Sequence, residues 1–282
     1  MRVLLVGGYG LLGTEIFEQL QKSVTFEVIR FDKSQFNLLD KDSIHEALSS
    51  VKPDIVIHAA GYTNVEKAED DFREAFEINC QGLYYLIDCL KATCRCPLLY
   101  FSTDYVFDGQ KRTPYKETDR MNPLNRYGWT KALSEDIIRA NYKEAFIIRT
   151  AWLFGNYGKC FPKTIIKKLQ ESNIVPVIND QFGSPTYTAD VAKCISQIFN
   201  LPYGTYHVVN SGMASWYDFA MEIAELLNLD KGKIVPVQSG QFGLRAKRPS
   251  YSVLDNTKWS KLSKPIRHYK DALKDYISTI SI

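Results

Sequence analysis

The chain opens on Arg2-Val-Leu-Leu-Val6 followed by glycines at positions 7, 10 and 13, and that start leaves few folds open. An apolar run this short reads as a buried strand. Gly7 permits a tight turn out of the strand, Gly10 removes a side chain where backbone must approach a pyrophosphate, and Gly13 lets the next helix pack closely on the sheet. The helix is predicted to start near Leu11, and Leu12, Ile16, Phe17 and Leu20 give it an apolar stripe at helical spacing. Free backbone N–H groups at Leu11, Leu12 and Gly13, with the positive end of the helix dipole, then face a phosphate. Strand, glycine turn and helix in this order read as the start of a dinucleotide-binding unit, with a plain tight turn as the other reading.

The rest of the first half keeps the same rhythm. Strands are predicted at 26–31, 55–61, 97–101 and 146–148, and helices at 42–50, 65–91 and 125–142. This alternation implies an α/β fold: a Rossmann-type doubly wound parallel sheet with right-handed crossovers. Asp32 ends the second strand 19 residues after Gly13, where a carboxylate can bind adenosine ribose hydroxyls; a solvated turn acid is the other reading. Arg30 and Lys33 flank it and suit a 2′-phosphate, so the coenzyme's phosphate state stays open. Ala59, Ala60 and Gly61 end the third strand with small residues that leave room for a flat ligand. Beyond Thr150 the elements shorten and glycine- and proline-bearing loops intervene. Residues 1–150 are therefore expected to form the NAD(P)-binding domain. Residues 151–282 should form mainly a smaller C-terminal substrate-binding lobe, with helices at 161–172, 188–200 and 216–227 and a strand at 204–209 that can return to the sheet.

Bulk properties exclude several classes. A net charge of +3, evenly spread, argues against a nucleic-acid partner. No run approaches a membrane span and the N-terminus lacks a charged leader with a cleavage site, which predicts a cytoplasmic protein with no membrane partner. Six cysteines in 282 residues read as reduced thiols. Cys94 and Cys96 flank Arg95, but a zinc or redox site would want a second pair or a Cys-x-x-Cys spacing. The four histidines lie far apart, so no metal site and no His-centred triad is expected.

Of seventeen tyrosines, Tyr127 alone is followed four residues later by lysine, Lys131. Four residues is one helical turn, which puts both side chains on one face. An ammonium beside a phenol is expected to lower its pKa and let it exchange a proton with a ketone or alcohol near neutral pH. The preceding strand runs into Ser102-Thr103-Asp104, so the Thr103 hydroxyl can hydrogen-bond a reacting carbonyl at the sheet's carboxyl edge. The bland alternative is that Thr103 caps a loop and Tyr127 fills the core.

Gly-x-x-Gly-x-x-Gly at 7–13 together with Tyr127-x-x-x-Lys131 resembles the extended short-chain dehydrogenase/reductase superfamily. The stretches 59–69 (AAGYTNVEKAE), 102–109 (STDYVFDG), 149–155 (RTAWLFG), 179–186 (NDQFGSPT) and 248–252 (RPSYS) are similar to its dTDP-4-dehydrorhamnose reductase family. The resemblance implies reduction of the C4 ketone of dTDP-4-dehydro-6-deoxy-L-mannose to dTDP-L-rhamnose by NADPH or NADH. It gives Tyr127 the role of proton donor, Lys131 that of holding the nicotinamide ribose and tuning the tyrosine, and Thr103 that of orienting the ketone. It places Val65, Asp104 and Trp152 near the sugar, Gln181 and Phe182 in a loop over the cleft, and Arg245 and Arg248 on the diphosphate. Core packing for Trp152 and a solvated basic patch for the arginines remain the alternatives. Leu11 replaces a common glutamine and Asn37-Leu38 stands where an acid often meets adenine, which leaves the choice of NADH or NADPH open. Family members are often dimers, so a homodimer is an open expectation. The same residues admit two other readings, a reductase or epimerase for another nucleotide 4-keto sugar and a non-catalytic nucleotide-binding regulatory subunit. The intact Thr103, Tyr127 and Lys131 favour an enzyme.

Overall fold

In the computed structural model, which describes residues 1–280, the chain builds one six-stranded parallel sheet with helices on both faces. The strands are β1 (Arg2–Val6), β2 (Glu27–Phe31), β3 (Ile55–His58), β4 (Leu98–Thr103), β5 (Ala145–Thr150) and a sixth, Gly204–His207. Their spatial order is β2-β1-β3-β4-β5 with Gly204–His207 outside β5. Being covered on both faces, the inner strands are continuous apolar runs rather than alternating ones. Leu4, Val6, Val56, Leu98, Tyr100 and Ile147 face one helical layer, and Val3, Leu5, Ile57, Leu99, Phe101 and Ile148 face the other. The first layer holds α2 (Lys41–Val51), α5 (Gly82–Ala92) and α6 (Arg126–Asn141); the second holds α1 (Leu11–Gln21) and α8 (Thr188–Ile198).

The chain reverses its direction across the sheet between β1 and β3, and such a reversal opens a crevice at the strands' carboxyl ends. Val6 pairs with His58 and His58 with Tyr100, so β4 runs on through Ser102 and Thr103 and carries them out over that crevice.

The continuous helix expected over 65–91 is broken. It becomes α3 (Val65–Asp70), α4 (Phe72–Phe76), a π-helical turn (Glu77–Gln81) and α5. Asp71 leaves helical geometry at φ −118°, ψ 68°, and its carboxylate caps α4 by accepting the Glu74 N–H at 3.2 Å. A third core lies in the C-terminal part of the chain, where α7 (Phe161–Glu171), α9 (Trp216–Leu226) and α10 (Tyr269–Thr279) pack around Phe154, Phe219 and Tyr276. There Val175–Ile178 pairs in parallel with Ile234–Val237.

Candidate active site

Gly7 turns at φ +81°, and a Cβ there would lie 2.4 Å from the Ala60 nitrogen. The turn is thus pressed against the end of β3 by backbone alone. A Cβ on Gly13 would meet the Gly7 carbonyl oxygen at 2.1 Å, which seats α1 on the turn. A Cβ on Gly10 would meet only that oxygen, at 3.5 Å, and otherwise project into the crevice. Gly10 is the N-cap of α1 and no side chain caps the helix, so its first-turn N–H groups face open space.

Two cavities continue from this turn and share Gly7, Gly10, Ala60 and Gly61. One, about 440 Å³, reaches Asp32, Phe36, Asn37 and Leu38. Asp32 Oδ1 accepts the Ser34 N–H at 2.8 Å, the Ser34 hydroxyl at 2.5 Å and the Gln35 N–H at 3.0 Å. These bonds hold its carboxyl below the usual range, Ser34 foremost. Arg30 is drawn away from this pocket, with its guanidinium over the Phe17 ring at 3.8 Å and the Tyr9 ring at 4.3 Å and an N–H on the Gly8 carbonyl. Of the two cations flanking Asp32, only Lys33 lines the pocket.

The other cavity, about 700 Å³, is lined by Leu11, Leu12 and Ala59 on the turn side and by Thr103, Asp104, Tyr127, Lys131 and Trp152 on the other. Thr103 stands there because it ends β4. Tyr127 and Lys131 stand one turn apart on α6, whose start is set by Asn125 accepting the Gly128 N–H at 2.7 Å. The Thr103 hydroxyl donates to Asp104 Oδ1 at 3.0 Å, and Ser252 donates to Asp104 Oδ2 at 2.5 Å. Burial pushes Asp104 up to about 6 against both of those bonds.

The expected effect of Lys131 on Tyr127 is not what the electrostatics give. Burial raises the Tyr127 phenol, Asp104 and Tyr105 add to the rise, and only the Thr103 hydroxyl opposes it. Lys131 is itself buried and lowered to about 7 by desolvation. Its ammonium donates to the Phe101 carbonyl at 2.6 Å and lies 4.1 Å from the centre of the Tyr100 ring. Lys131 is not among the groups that shift the phenol, and burial holds Tyr127 in its protonated form.

Two buried polar groups that sequence reasoning missed support this site. Asn79, in the π-helical turn, donates to Thr130 Oγ1 at 2.9 Å and to the Tyr62 carbonyl at 3.1 Å, and accepts the Tyr62 N–H at 2.8 Å. Thr130 in turn donates to the Tyr127 carbonyl at 2.8 Å, so Asn79 ties the crevice loop to the helix of Tyr127. Glu135, four residues past Lys131, accepts Arg149 at 2.7 and 2.9 Å and the Ser102 hydroxyl at 2.6 Å. A polar residue inside an apolar helical stripe was the available signal for Asn79.

On the lobe side, Trp152 both packs and lines the cavity. It takes a left-handed φ of +44°, and its ring stacks on Trp216 with centroids 3.4 Å apart and planes 2° from parallel. Its other flank is Gly183, where a Cβ would lie 2.3 Å from the indole. Gln181 is buried and Phe182 bonds through its backbone to Ser250 and Ser252; neither lines the cavity. Val65 opens α3 and also stands outside the lining. Arg245 and Arg248 are not solvated freely: Arg245 pairs with Asp70, and Arg248 pairs with Glu66 at 2.6 Å. Arg248 also lies beside the Tyr105 phenol, itself in edge-on contact with Tyr127.

The whole chain, residues 1–282, matches the model of a protein family described as the RmlD substrate binding domain. It is 38% identical over 277 residues to the spore coat polysaccharide biosynthesis protein SpsK of Bacillus subtilis, covering 98% of this chain and 96% of that one. It is 34% identical over 293 residues to a dTDP-4-dehydrorhamnose reductase of Aggregatibacter actinomycetemcomitans, covering 96% and 99%. Among solved structures, the dTDP-4-dehydrorhamnose reductase of Bacillus anthracis in complex with NADP superposes with a TM-score of 0.94 over 99% of both chains at 33% identity. The overall fold is thus shared, and the chain belongs to the RmlD substrate-binding-domain family.

Proposed function

We propose that this protein reduces the C4 ketone of dTDP-4-dehydro-6-deoxy-L-mannose to dTDP-L-rhamnose with NADPH or NADH. The observation that carries the reading is the meeting of the glycine turn with Thr103, Tyr127 and Lys131 around one cavity. The backbone of Gly10, Leu11, Leu12 and Gly13 would hold the coenzyme's pyrophosphate, since a side chain on Gly10 would fill that space. Asp32 Oδ2, free of the turn's hydrogen bonds, would take the adenosine ribose, and Ala59, Ala60 and Gly61 would leave room for the rings. Bound there, the reduced nicotinamide supplies the hydride to C4.

The remaining work falls to side chains of this chain. Thr103 orients the ketone oxygen by turning its hydroxyl proton from Asp104 to that oxygen when the sugar binds. Tyr127 donates the proton to the forming alkoxide, a task that suits a phenol kept protonated by burial. Lys131 holds the nicotinamide ribose, its amine lying at the floor of the same cavity. Trp152 offers to the sugar the part of its indole that lines the cavity, Arg248 and Arg245, paired with Glu66 and Asp70 of α3, face the diphosphate, and Val65, Gln181 and Phe182 shape the wall behind them. In this reading residues 1–150 serve the coenzyme and residues 151–282 mainly the sugar nucleotide, without nucleic acid or metal. Among the described residues no helix is long and apolar enough to cross a membrane. A cytoplasmic homodimer completes the proposal, and light scattering on dilute protein tests the dimer.

The central test is oxidation of NADPH, and separately NADH, in the presence of the enzymatically generated keto sugar. Tyr127→Phe is expected to bind coenzyme normally and to lose roughly 10² or more in turnover, the scale for a positioned acid. An unchanged rate would remove Tyr127 from the mechanism, and tight coenzyme binding without wild-type turnover would point to another 4-keto sugar. Activity that falls with EDTA and returns with magnesium would overturn the metal-free reading.

A further inference from the structure

Cys94 and Cys96 lie in the turn between α5 and β4. They sit at the opposite end of β4 from Thr103, roughly 20 Å from the reacting centre at ~3.3 Å per strand residue. Their spacing argued against a redox pair, yet the two sulfurs approach to 3.3 Å. The backbone explains this. Arg95 takes a left-handed φ of +47° and its N–H donates to the Leu90 carbonyl at 2.8 Å, folding the chain so that its two neighbours' side chains meet. Cys96 is buried and Cys94 is partly exposed above it. A hydrogen bond joins the two sulfurs, and it draws the Cys94 thiol below its ordinary pKa and raises Cys96. The other four cysteines, at 80, 89, 160 and 194, are buried, and none has a second sulfur within hydrogen-bonding reach among the described residues.

We propose that Cys94 and Cys96 form a redox-active dithiol that closes into a disulfide by exchange with a small-molecule disulfide such as oxidised glutathione. The Cys94 thiolate attacks one glutathione sulfur, forming a protein–glutathione mixed disulfide and releasing one glutathione as thiolate. The Cys96 thiol gives its proton to solvent and attacks the Cys94 sulfur. That bond forms as the mixed disulfide breaks, and the second glutathione leaves. Two electrons pass from the protein dithiol to glutathione disulfide, which becomes two thiols after protonation. The exposed member is the nucleophile and the buried one the resolving group, the order that their accessibility dictates.

The test treats reduced full-length protein with oxidised glutathione, blocks remaining thiols with iodoacetamide and digests with trypsin without reduction. Closure is expected to join peptide 92–95 to peptide 96–111 or, where Arg95 stays uncut, to leave 92–111 lighter by two hydrogens, while the other four cysteines stay reduced. Cys96→Ser is expected to stop at glutathione on Cys94, and Cys94→Ser to leave Cys96 unmodified. Wild-type protein that keeps both thiols after prolonged treatment, or that halts at the mixed disulfide, would overturn the proposal. The readout is chemical and does not depend on which sugar the enzyme reduces.

Discussion

Lys131 shows how one residue can be costly to the fold and central to the site. Its amine is buried, and its pKa is lowered from 10.5 to about 7 because the charged form is desolvated. Below about 7 both folded and unfolded chains hold the proton and the full cost of burying charge applies. Between about 7 and 10.5 the unfolded chain holds a proton that the folded one has released, so this residue's drag on stability fades as pH rises. Lys131→Met is therefore expected to stabilise the protein by roughly 2 kcal/mol below pH 7, after the loss of the bond to Phe101, and to abolish turnover. Urea denaturation at several pH values checks this; a stability gain that grows with pH would contradict it. The pair's spacing was readable from the chain, since i and i+4 share a helical face. The sign of the tyrosine's shift was not, because it depends on burial in the folded chain and on the charges of Asp104 and Tyr105, which folding brings beside it.

At the scale of elements, the break in the helix before β4 matters most. The π-helical turn Glu77–Gln81 places Asn79 where it can bond Tyr62 on one side and Thr130 on the other. Asn79→Ala leaves the Tyr62 N–H without its acceptor in a buried setting. It is expected to cost about 2 kcal/mol of stability, the scale for an unmatched buried polar group. Because Thr130 also holds the Tyr127 carbonyl, the surviving folded enzyme should show a lower kcat with nearly unchanged KM. The isosteric Asn79→Leu, which keeps the bulk without the hydrogen bonds, should lose kcat as Asn79→Ala does, and this separates hydrogen bonding from bulk. Strands β1, β3, β4 and β5 were legible as short apolar runs, because a parallel strand covered on both faces must be apolar throughout. The helical break was harder to read: Asp71 leaves helical geometry to cap α4, and the π-helical turn is tied by a bond between residues 79 and 130 whose partner lies outside the periodic stretch 65–91. For Cys94 and Cys96 the limit was similar, since a spacing rule says nothing of a left-handed Arg95 between them.

For the whole molecule, the segment carrying Arg245 and Arg248 reaches back to α3 and fastens the C-terminal part of the chain to the N-terminal part through Asp70 and Glu66. These partners lie more than 170 residues away in the chain, which is why the arginines read from sequence as a surface patch. If Arg248 serves the diphosphate, Glu66 competes with it. Glu66→Gln is then expected to tighten dTDP binding by about threefold to tenfold, the effect of roughly 1 kcal/mol, measurable by calorimetry. Weaker binding in that variant would mean that Glu66 positions Arg248 rather than competing for it. The lobe also contains its own reporter. Two indoles stacked face to face at 3.4 Å have coupled electronic transitions, and one of them, Trp152, lines the cavity. Only two other tryptophans, Trp129 and Trp259, contribute background absorption. A sugar settling on Trp152 should therefore change the near-ultraviolet circular dichroism of the pair, and Trp216→Phe should erase that signal, giving an optical handle on substrate binding that needs neither label nor turnover.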